Sequence, residues 1–299
     1  MKILITGVSG LLGSEIYSRI SRKDNADVFG LSRKRPETMD PAFHIAADIG
    51  DFPTVYSKIT AINPDVVVHA AAMTGVDDCQ RNPDAAYRIN ALGARNVAEA
   101  ARRFDAYLIS ISTDYVFGAR PPENPDGYDE MEPPAPVNVY GKSKLWGEYL
   151  TRTTGAMHCV VRTSWVFGSR RANYVSAAAD AGREVFAASD MSACPTYTVD
   201  LAEAIRLLVD SAEYGAARTG VYHLTNQGAA SRYEVALFVA KTLGLPVKRV
   251  KKISVAALGL PAARPACSSL KSRLWPAEGF KPLRPWREAV ADYLSSNIT

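Results

Sequence analysis

Tyr140 and Lys144 lie four residues apart in the stretch "NVYGKSKLWGE". In a helix this spacing puts both side chains on one face, about one turn apart. A phenol has an ordinary pKa of about 10, and a nearby ammonium lowers the pKa because it stabilises the phenolate. The pair therefore suits a phenol that exchanges a proton near neutral pH. The alternative is a solvated helix face with no chemical role.

A hydroxyl group from another segment could complete this array. The stretch "AYLISISTDYVFG" contains a predicted strand over 106–113, at whose carboxyl end Ser112 and Thr113 lie. In open sheets of parallel strands, ligands bind in the crevice outside the carboxyl ends of the strands. We therefore expect these hydroxyls to lie near the Tyr140 helix.

Three glycines follow the first predicted strand, in "KILITGVSGLLGSEI". Gly7, Gly10 and Gly13 allow a sharp turn and let a pyrophosphate approach without meeting a Cβ atom. The helix that begins near Leu11 would direct free N–H groups at the anion. Directly after a strand, this pattern indicates a dinucleotide site. A tight turn without a ligand is the alternative.

The second predicted strand ends in "GLSRKR", which bears on the choice of cofactor. An acid at this place would hydrogen-bond the ribose 2′-hydroxyl of NADH, whereas Ser32, Arg33 and the following cations suit the 2′-phosphate of NADPH. NADPH is therefore favoured, with NADH and a merely basic surface turn as alternatives. Asp48, in "AADIG", either contacts the adenine or caps a helix.

Apolar strands alternate with helical stretches throughout the first half of the chain, with predicted strands at 2–6, 26–32 and 64–71. This order is typical of an α/β protein with a Rossmann-type, doubly wound parallel sheet covered on both faces. We predict an NAD(P)-binding domain over 1–165 and a smaller C-terminal substrate-binding lobe over 166–299. Within the latter, about 196–226 would return to the core of the first domain.

Composition excludes several classes of function. The net charge is only +4, and no basic stripe carries interleaved aromatic residues, so nucleic acid is a poor candidate partner. The four Cys and four His residues are scattered and show no metal-ligand spacing, so no metal is expected and the thiols are predicted to be reduced. No apolar run reaches the roughly 20 residues of a membrane helix. A cytoplasmic protein is the resulting expectation.

Six motifs together resemble the extended short-chain dehydrogenases/reductases, and among them the dTDP-4-dehydrorhamnose reductases, over essentially the whole chain. They are "TGVSGLLG", "PDVVVHAAAMTGVDDCQRNPDAAYRIN", "ISTDYVFG", "VYGKSKLWGE", "VRTSWVFG" and "RPACSSL". The resemblance implies reduction of the C4 ketone of a nucleotide-linked 4-keto-6-deoxy sugar by NADPH. It also implies that Tyr140 donates the proton and Lys144 lowers its pKa and bonds the nicotinamide ribose. Thr113 would bind the substrate oxygen.

The resemblance also assigns the remaining residues. Those that would border the cofactor are Gly7, Gly10, Leu11, Leu12, Gly13, Ser32, Arg33, Asp48, Ile49, Ala70, Ala71, Ala72, Tyr140 and Lys144. Those that would bind the substrate are Thr74, Val76, Asp114, Tyr115, Trp165 and Arg264. A homodimer is expected as well. Two readings besides a reductase stay open: a nucleotide-sugar epimerase, and a non-catalytic NADP-binding subunit like the regulatory subunit of methionine adenosyltransferase.

Overall fold

Seven parallel strands form the central sheet of the computed structural model, which describes residues 1–23 and 25–298. Their spatial order is β10-β6-β5-β4-β1-β2-β3. The chain first adds strands on one side of β1, then crosses to β4 on the other side, so the direction of winding reverses between β1 and β4. Such a point is where open α/β sheets bind ligands. The strands are β1 Lys2–Thr6, β2 Asp27–Ser32, β3 His44–Ala46, β4 Val66–His69, β5 Tyr107–Thr113, β6 His158–Thr163 and β10 Gly220–His223.

Both faces of this sheet are buried, which explains why its strands are apolar on consecutive residues. Side chains alternate between the faces of a strand. In β1, accordingly, Ile3 and Ile5 pack in one hydrophobic cluster and Leu4 packs in another. The predicted Rossmann-type, doubly wound parallel sheet is confirmed. The helices that accompany the sheet are α1 Leu11–Ile20, α2 Phe52–Ile62, α3 Val76–Arg81, α4 Pro83–Tyr87, α5 Gly93–Arg102, α6 Val139–Thr153 and α8 Thr198–Glu213.

A π-helical turn interrupts the helical segment between residues 83 and 102. This turn, Arg88–Leu92, joins α4 to α5 and contains the buried Asn90. The Asn90 amide binds both main-chain groups of Met73, at 2.8 and 3.0 Å, and donates to the Ser143 hydroxyl at 3.0 Å. Isolated π-turns often occur at functional sites. Here the turn ties the segment after β4 to helix α6.

A second hydrophobic cluster lies in the C-terminal part of the chain, around Phe167, Tyr197 and Trp286. The segment between residues 198 and 223 instead packs with the main sheet. Helix α8 belongs to the same cluster as β1, and β10 pairs with β6. The remaining elements are β7 Val166–Phe167, α7 Tyr174–Ala179, β8 Val185–Ala188, β9 Thr196–Tyr197, α9 Arg232–Thr242, β11 Val250–Ile253, α10 Leu274–Ala277 and α11 Trp286–Asn297.

The Pro-rich segment 119–137 contains no helix or strand, as its composition indicates. Its middle packs on the segment around Leu270. The Tyr128 N–H donates to the Ser269 carbonyl, and the Lys271 N–H donates to the Tyr128 carbonyl, both at 2.8 Å. None of the segment's residues lines the cleft that contains Tyr140. The two main-chain bonds hold it against residues 269–271 instead.

Candidate active site

A cleft of about 1430 Å³ runs along the carboxyl ends of the central strands, across the point where the winding reverses. The residues that line it come from many segments between Gly7 and Arg232. Among the predicted site residues, Arg264 alone does not line this cleft. Those that do are Gly7, Gly10, Leu11, Leu12, Gly13, Ser32, Arg33, Asp48, Ile49, Ala70, Ala71, Ala72, Thr74, Val76, Thr113, Asp114, Tyr115, Tyr140, Lys144 and Trp165.

The glycine turn between β1 and α1 has no room for side chains at two of its three glycines. Gly7 has a φ of +73°, and a Cβ atom there would lie 2.6 Å from the Ala71 nitrogen. A Cβ on Gly13 would lie 2.2 Å from the Gly7 carbonyl oxygen. Gly10 caps α1 without any side-chain hydrogen bond, so the first N–H groups of this helix face the cleft. The turn therefore fits the pyrophosphate of a dinucleotide.

Two exposed cations follow β2 at the edge of the cleft. Arg33 and Lys34 are exposed and line it, and neither forms an ion pair within residues 1–23 and 25–298. The Ser32 hydroxyl donates to the Lys34 carbonyl at 2.8 Å, so it holds the turn in place. This arrangement leaves two cationic groups for a 2′-phosphate. Ser32 contributes mainly by shaping the backbone.

Asp48 is held by its own neighbours. Its carboxylate accepts the Gly50 N–H at 2.9 Å and a guanidinium N–H of Arg88 at 3.2 Å. The helix cap that the sequence offers as an alternative role belongs to Asp51, whose side chain accepts the Thr54 N–H at the start of α2. Asp48 therefore remains a residue of the cleft wall. Arg88, which sequence reasoning missed, lies in the π-turn and lines the cleft beside it.

Tyr140 and Lys144 lie on α6, whose first turn approaches the end of β5 closely. Asn138 caps the helix by accepting the Gly141 N–H at 2.9 Å. A Cβ atom on Gly141 would lie only 2.0 Å from the Tyr115 carbonyl oxygen, so glycine allows this approach. The Lys144 ammonium donates to the Ile111 carbonyl at 2.8 Å. The two side chains and Thr113 thus reach the same part of the cleft.

The pKa of Tyr140 departs from the expectation. Burial raises the pKa of the phenol above its ordinary value, and a hydrogen bond with Thr113 offsets only part of this rise. Burial lowers the pKa of Lys144 to about 8, although the Glu148 carboxylate raises it. Lys144 bonds a main-chain carbonyl instead of the phenol, so the expected net depression of the Tyr140 pKa is absent from this structure. Tyr140 therefore keeps its proton at neutral pH.

Asp114 is surrounded by hydroxyl groups. Its carboxylate accepts from Ser268 at 2.6 Å, Ser164 at 2.9 Å and Thr113 at 3.1 Å. Burial raises the pKa of Asp114 to about 6 even though these hydrogen bonds lower it. The carboxylate thus fixes three segments and orients the Thr113 hydroxyl. In this structure Asp114 lines the cleft and holds these hydroxyl groups in place.

Arg264 is engaged by its own surroundings and does not line the cleft. Its guanidinium forms an ion pair with Asp77 at 2.8 Å and donates to the Ala262 carbonyl at 2.7 Å. The segment of Arg264 therefore lies beside α3, where Asp77 neutralises the charge of the arginine. The predicted contact of Arg264 with the nucleotide end of the substrate is therefore not prepared in this structure.

A buried ion pair lies beneath the candidate catalytic group. The Glu148 carboxylate accepts from Arg162 at 2.8 and 3.1 Å, and Ser112 donates to it as well. Both charged side chains are only 4% exposed. Sequence reasoning missed this pair, although Glu148 follows Lys144 by one helical turn. Arg232 and Tyr174 were missed too, since only folding brings them from distant segments to Trp165.

Neither a metal-binding cluster nor a membrane-spanning helix occurs in the described residues. No group of three or more His, Cys, Asp or Glu side chains there could hold a metal ion. Within the same residues, no helix has the length and apolarity required to cross a membrane. Glu15 forms a long ion pair with Arg19, at 3.8 Å.

The doubly wound sheet, the glycine turn and the Thr113, Tyr140 and Lys144 group define a short-chain dehydrogenase/reductase. The family model described as the RmlD substrate binding domain matches residues 1–298. The chain therefore belongs to the RmlD substrate binding domain family.

Named relatives agree with this family. The chain is 36% identical to a dTDP-4-dehydrorhamnose reductase of Mycobacterium tuberculosis, with 99% of this chain and 93% of the relative covered. It is 35% identical to the spore coat polysaccharide biosynthesis protein SpsK of Bacillus subtilis, with 98% and 96% covered. The crystal structure of dTDP-4-dehydrorhamnose reductase from Bacillus anthracis in complex with NADP is similar at a TM-score of 0.86 and 31% identity, covering 99% of each chain.

Proposed function

We propose that this protein is an NADPH-dependent reductase of the C4 ketone of a nucleotide-linked 4-keto-6-deoxy sugar, as in dTDP-rhamnose and polysaccharide biosynthesis. The observation that carries the proposal is the meeting of Thr113, Tyr140 and Lys144 in one cleft with the glycine turn. Relatives named dTDP-4-dehydrorhamnose reductase at about 36% identity over the full length support the same reaction.

NADPH is the cofactor that the cleft suits best. The N-terminus of α1 would hold the pyrophosphate, and Arg33 with Lys34 would hold the 2′-phosphate. When bound, NADPH supplies the hydride for the reduction. The B. anthracis relative was solved in complex with NADP. NADH remains an alternative cofactor.

The protein's own residues manage the proton. Tyr140 holds its proton at neutral pH, because burial raises the pKa of the phenol. It can therefore protonate the alkoxide that develops on the substrate, which general acid catalysis accelerates by typically 10²–10⁴-fold. The Thr113 hydroxyl, whose single proton is donated to Asp114 in this structure, would turn that proton to the substrate oxygen. Lys144 adds a positive charge that favours the build-up of negative charge nearby.

Dehydration is disfavoured by Tyr115. Related dehydratases carry a Thr-Asp-Glu triplet whose glutamate acts as a base. In this chain the corresponding triplet ends in a tyrosine, Tyr115. Burial raises the pKa of Tyr115 to about 12, so its phenol is neutral near pH 7 and cannot act as that base. A regulatory subunit without catalysis is the alternative from a different class.

The deciding experiment mixes the purified protein with NADPH and dTDP-4-keto-6-deoxy sugar, and follows the loss of NADPH absorbance. We expect oxidation that depends on the sugar and that Tyr140→Phe reduces at least 100-fold. Parallel binding of NADPH to both proteins separates loss of chemistry from loss of cofactor. If NADPH binds but none of the nucleotide-linked sugars tested is reduced, and a larger enzyme co-purifies, the role of a regulatory subunit is favoured.

The proposal extends to assembly and location. A homodimer is proposed, and Trp146 and Tyr149 on α6 offer an apolar contact, since they are 51% and 54% exposed. Light scattering of the purified protein tests the dimer. A cytoplasmic location is proposed because activated sugars and NADPH are expected there. Cell fractionation tests the location.

A further inference from the structure

Arg232 is an unusual lining residue of the cleft. It is the first residue of α9, which Ser231 and Glu234 cap reciprocally, with hydrogen bonds of 2.7 and 3.1 Å between them. A cation at this end of a helix is disfavoured by the helix dipole. Burial also lowers the pKa of the Arg232 guanidinium. The local fold thus holds a positive charge where its surroundings do not favour one.

Two aromatic rings fix the guanidinium of Arg232. Its central carbon lies 3.7 Å from the ring centre of Trp165 and 3.6 Å from that of Tyr174. Trp165 has a left-handed backbone conformation, with a φ of +39°, and the Tyr174 hydroxyl donates to its carbonyl at 2.9 Å. Arg232 is therefore oriented before any ligand arrives. The stacked guanidinium forms part of the cleft wall, together with Trp165 and Tyr174.

No acid neutralises this cation in the described part of the chain. Arg232 forms no ion pair there, and its Nη1 atom is buried without a hydrogen-bond partner. The Asp114 carboxylate, whose charge offsets part of the effect of burial that lowers the pKa of Arg232, accepts hydrogen bonds from three hydroxyl groups and forms no ion pair with it. Arg264 differs, because Asp77 neutralises it.

We propose that Arg232 binds the diphosphate of the nucleotide-linked sugar and so contributes to selection of the substrate. This inference rests on the proposed function. The diphosphate is the charged group of such a substrate, and the planar guanidinium matches phosphate oxygens in a two-pronged hydrogen bond. A phosphate would supply a negative charge and an acceptor for the Nη1 atom, which has no hydrogen-bond partner in the described residues. A stacked arginine also loses little rotational freedom on binding.

The test measures binding of dTDP and of thymidine to the NADP⁺-loaded protein by calorimetry. In the Arg232→Met variant, dTDP should bind roughly 10-fold or more weakly, since a hydrogen bond to a charged group is lost. Thymidine, which has no phosphate, should bind the variant and the wild type equally. Added salt should weaken dTDP binding to the wild type more than to the variant. The variant should also raise the KM for the sugar substrate more than it lowers kcat.

Arg287→Met is the matched control. Arg287 stacks on Trp286 with its central carbon 4.4 Å from the ring, but it is exposed and does not line the cleft. Its variant should bind dTDP as the wild type does, and thermal unfolding of each variant checks that it is folded.

Three results would overturn the inference. Unchanged dTDP affinity in a folded Arg232→Met protein would do so while leaving the reductase function intact. An equal loss of thymidine affinity would show a structural role instead. If the wild type bound no nucleoside diphosphate among dTDP, UDP and GDP, and reduced no sugar, the proposed function would fail together with the inference.

Discussion

The ammonium of Lys144 donates a hydrogen bond of 2.8 Å to the carbonyl of Ile111, two residues before Thr113. Helix α6 is thereby joined to the end of β5 through a buried cation. The lysine is only 5% exposed, and burial lowers its pKa to about 8. Lys144 therefore stabilises the relative placement of two elements and does not bond the Tyr140 phenol in this structure.

This low pKa predicts how stability depends on pH. Between about pH 8 and pH 10, Lys144 loses its proton in the folded protein, while the unfolded chain still holds it. The unfolded state then binds more protons, so the free energy of unfolding rises with pH. The wild type should gain roughly 2 kcal/mol over this range relative to Lys144→Met, which lacks the group. Urea unfolding of both nucleotide-free proteins at several pH values measures the difference. A constant difference would contradict the low pKa.

Tyr140→Phe should separate catalysis from binding. The phenol oxygen is the only group removed, and the proton that it would donate goes with it. We expect kcat to fall about 10²–10⁴-fold, with the affinity for NADPH nearly unchanged. Stopped-flow oxidation of bound NADPH and fluorescence titration of the cofactor measure the two quantities. Turnover near the wild-type rate would show that another group is the acid.

The cations after β2 predict the choice between NADPH and NADH. Arg33 and Lys34 line the cleft, whereas the guanidinium of the neighbouring Arg35 is engaged by the Met39 carbonyl. Replacing Arg33 and Lys34 by serine should lower the preference for NADPH, measured as a ratio of kcat/KM values, roughly 10-fold or more. The KM for NADH should change little.

Arg35→Met is the control for this pair, because it removes one positive charge from the same turn without touching the cleft lining. It should keep the cofactor preference within about twofold, as expected for a screened surface charge. An equal loss of preference in the control would indicate a general effect of surface charge, and it would remove the specific role of Arg33 and Lys34.

Local sequence patterns predicted the parts of the site that lie next to a strand end. Gly7 follows β1, Thr113 ends β5 and Tyr140 lies in the first turn of α6. The residue pattern of each of these elements is visible in the sequence, so the place of the three residues at the rim of the sheet could be expected. The contacts of Arg232 and Arg264 could not, because distant segments decide them. Arg264 meets Asp77, which lies 187 positions away, and a charge pair of that kind leaves no local pattern. The π-turn around Asn90 was equally hidden inside a regular helical pattern.

The direction of the pKa shift of Tyr140 could not be predicted from the sequence either. The spacing of Tyr140 and Lys144 correctly places them on one helix face, but the spacing does not tell how deeply the two side chains are buried. In the folded protein burial outweighs the attraction that was expected, so the pKa of the phenol is raised. The direction of a pKa shift depends on desolvation as much as on neighbouring charge.

Among the ionic contacts near the site, the buried pair of Glu148 and Arg162 should contribute most to the free energy of unfolding. Both side chains are 4% exposed, and the arginine also lies 5.1 Å over the Phe117 ring. Glu148→Gln leaves the guanidinium buried without a negative partner, which costs about 3–5 kcal/mol of unfolding free energy. The exposed pair of Glu99 and Arg102 is the control. Glu99→Gln should cost less than about 1 kcal/mol.

A double variant separates the pair from its surroundings. Arg162→Met alone should also destabilise the protein, because it leaves the Glu148 carboxylate without its cation. Combined with Glu148→Gln, it removes both charges, so the double variant should lose clearly less than the sum of the two single losses. Urea unfolding of the four proteins gives this coupling. Additive losses would show that the two charges are not coupled. A Glu148→Gln loss as small as that of Glu99→Gln would show that burial does not strengthen the pair.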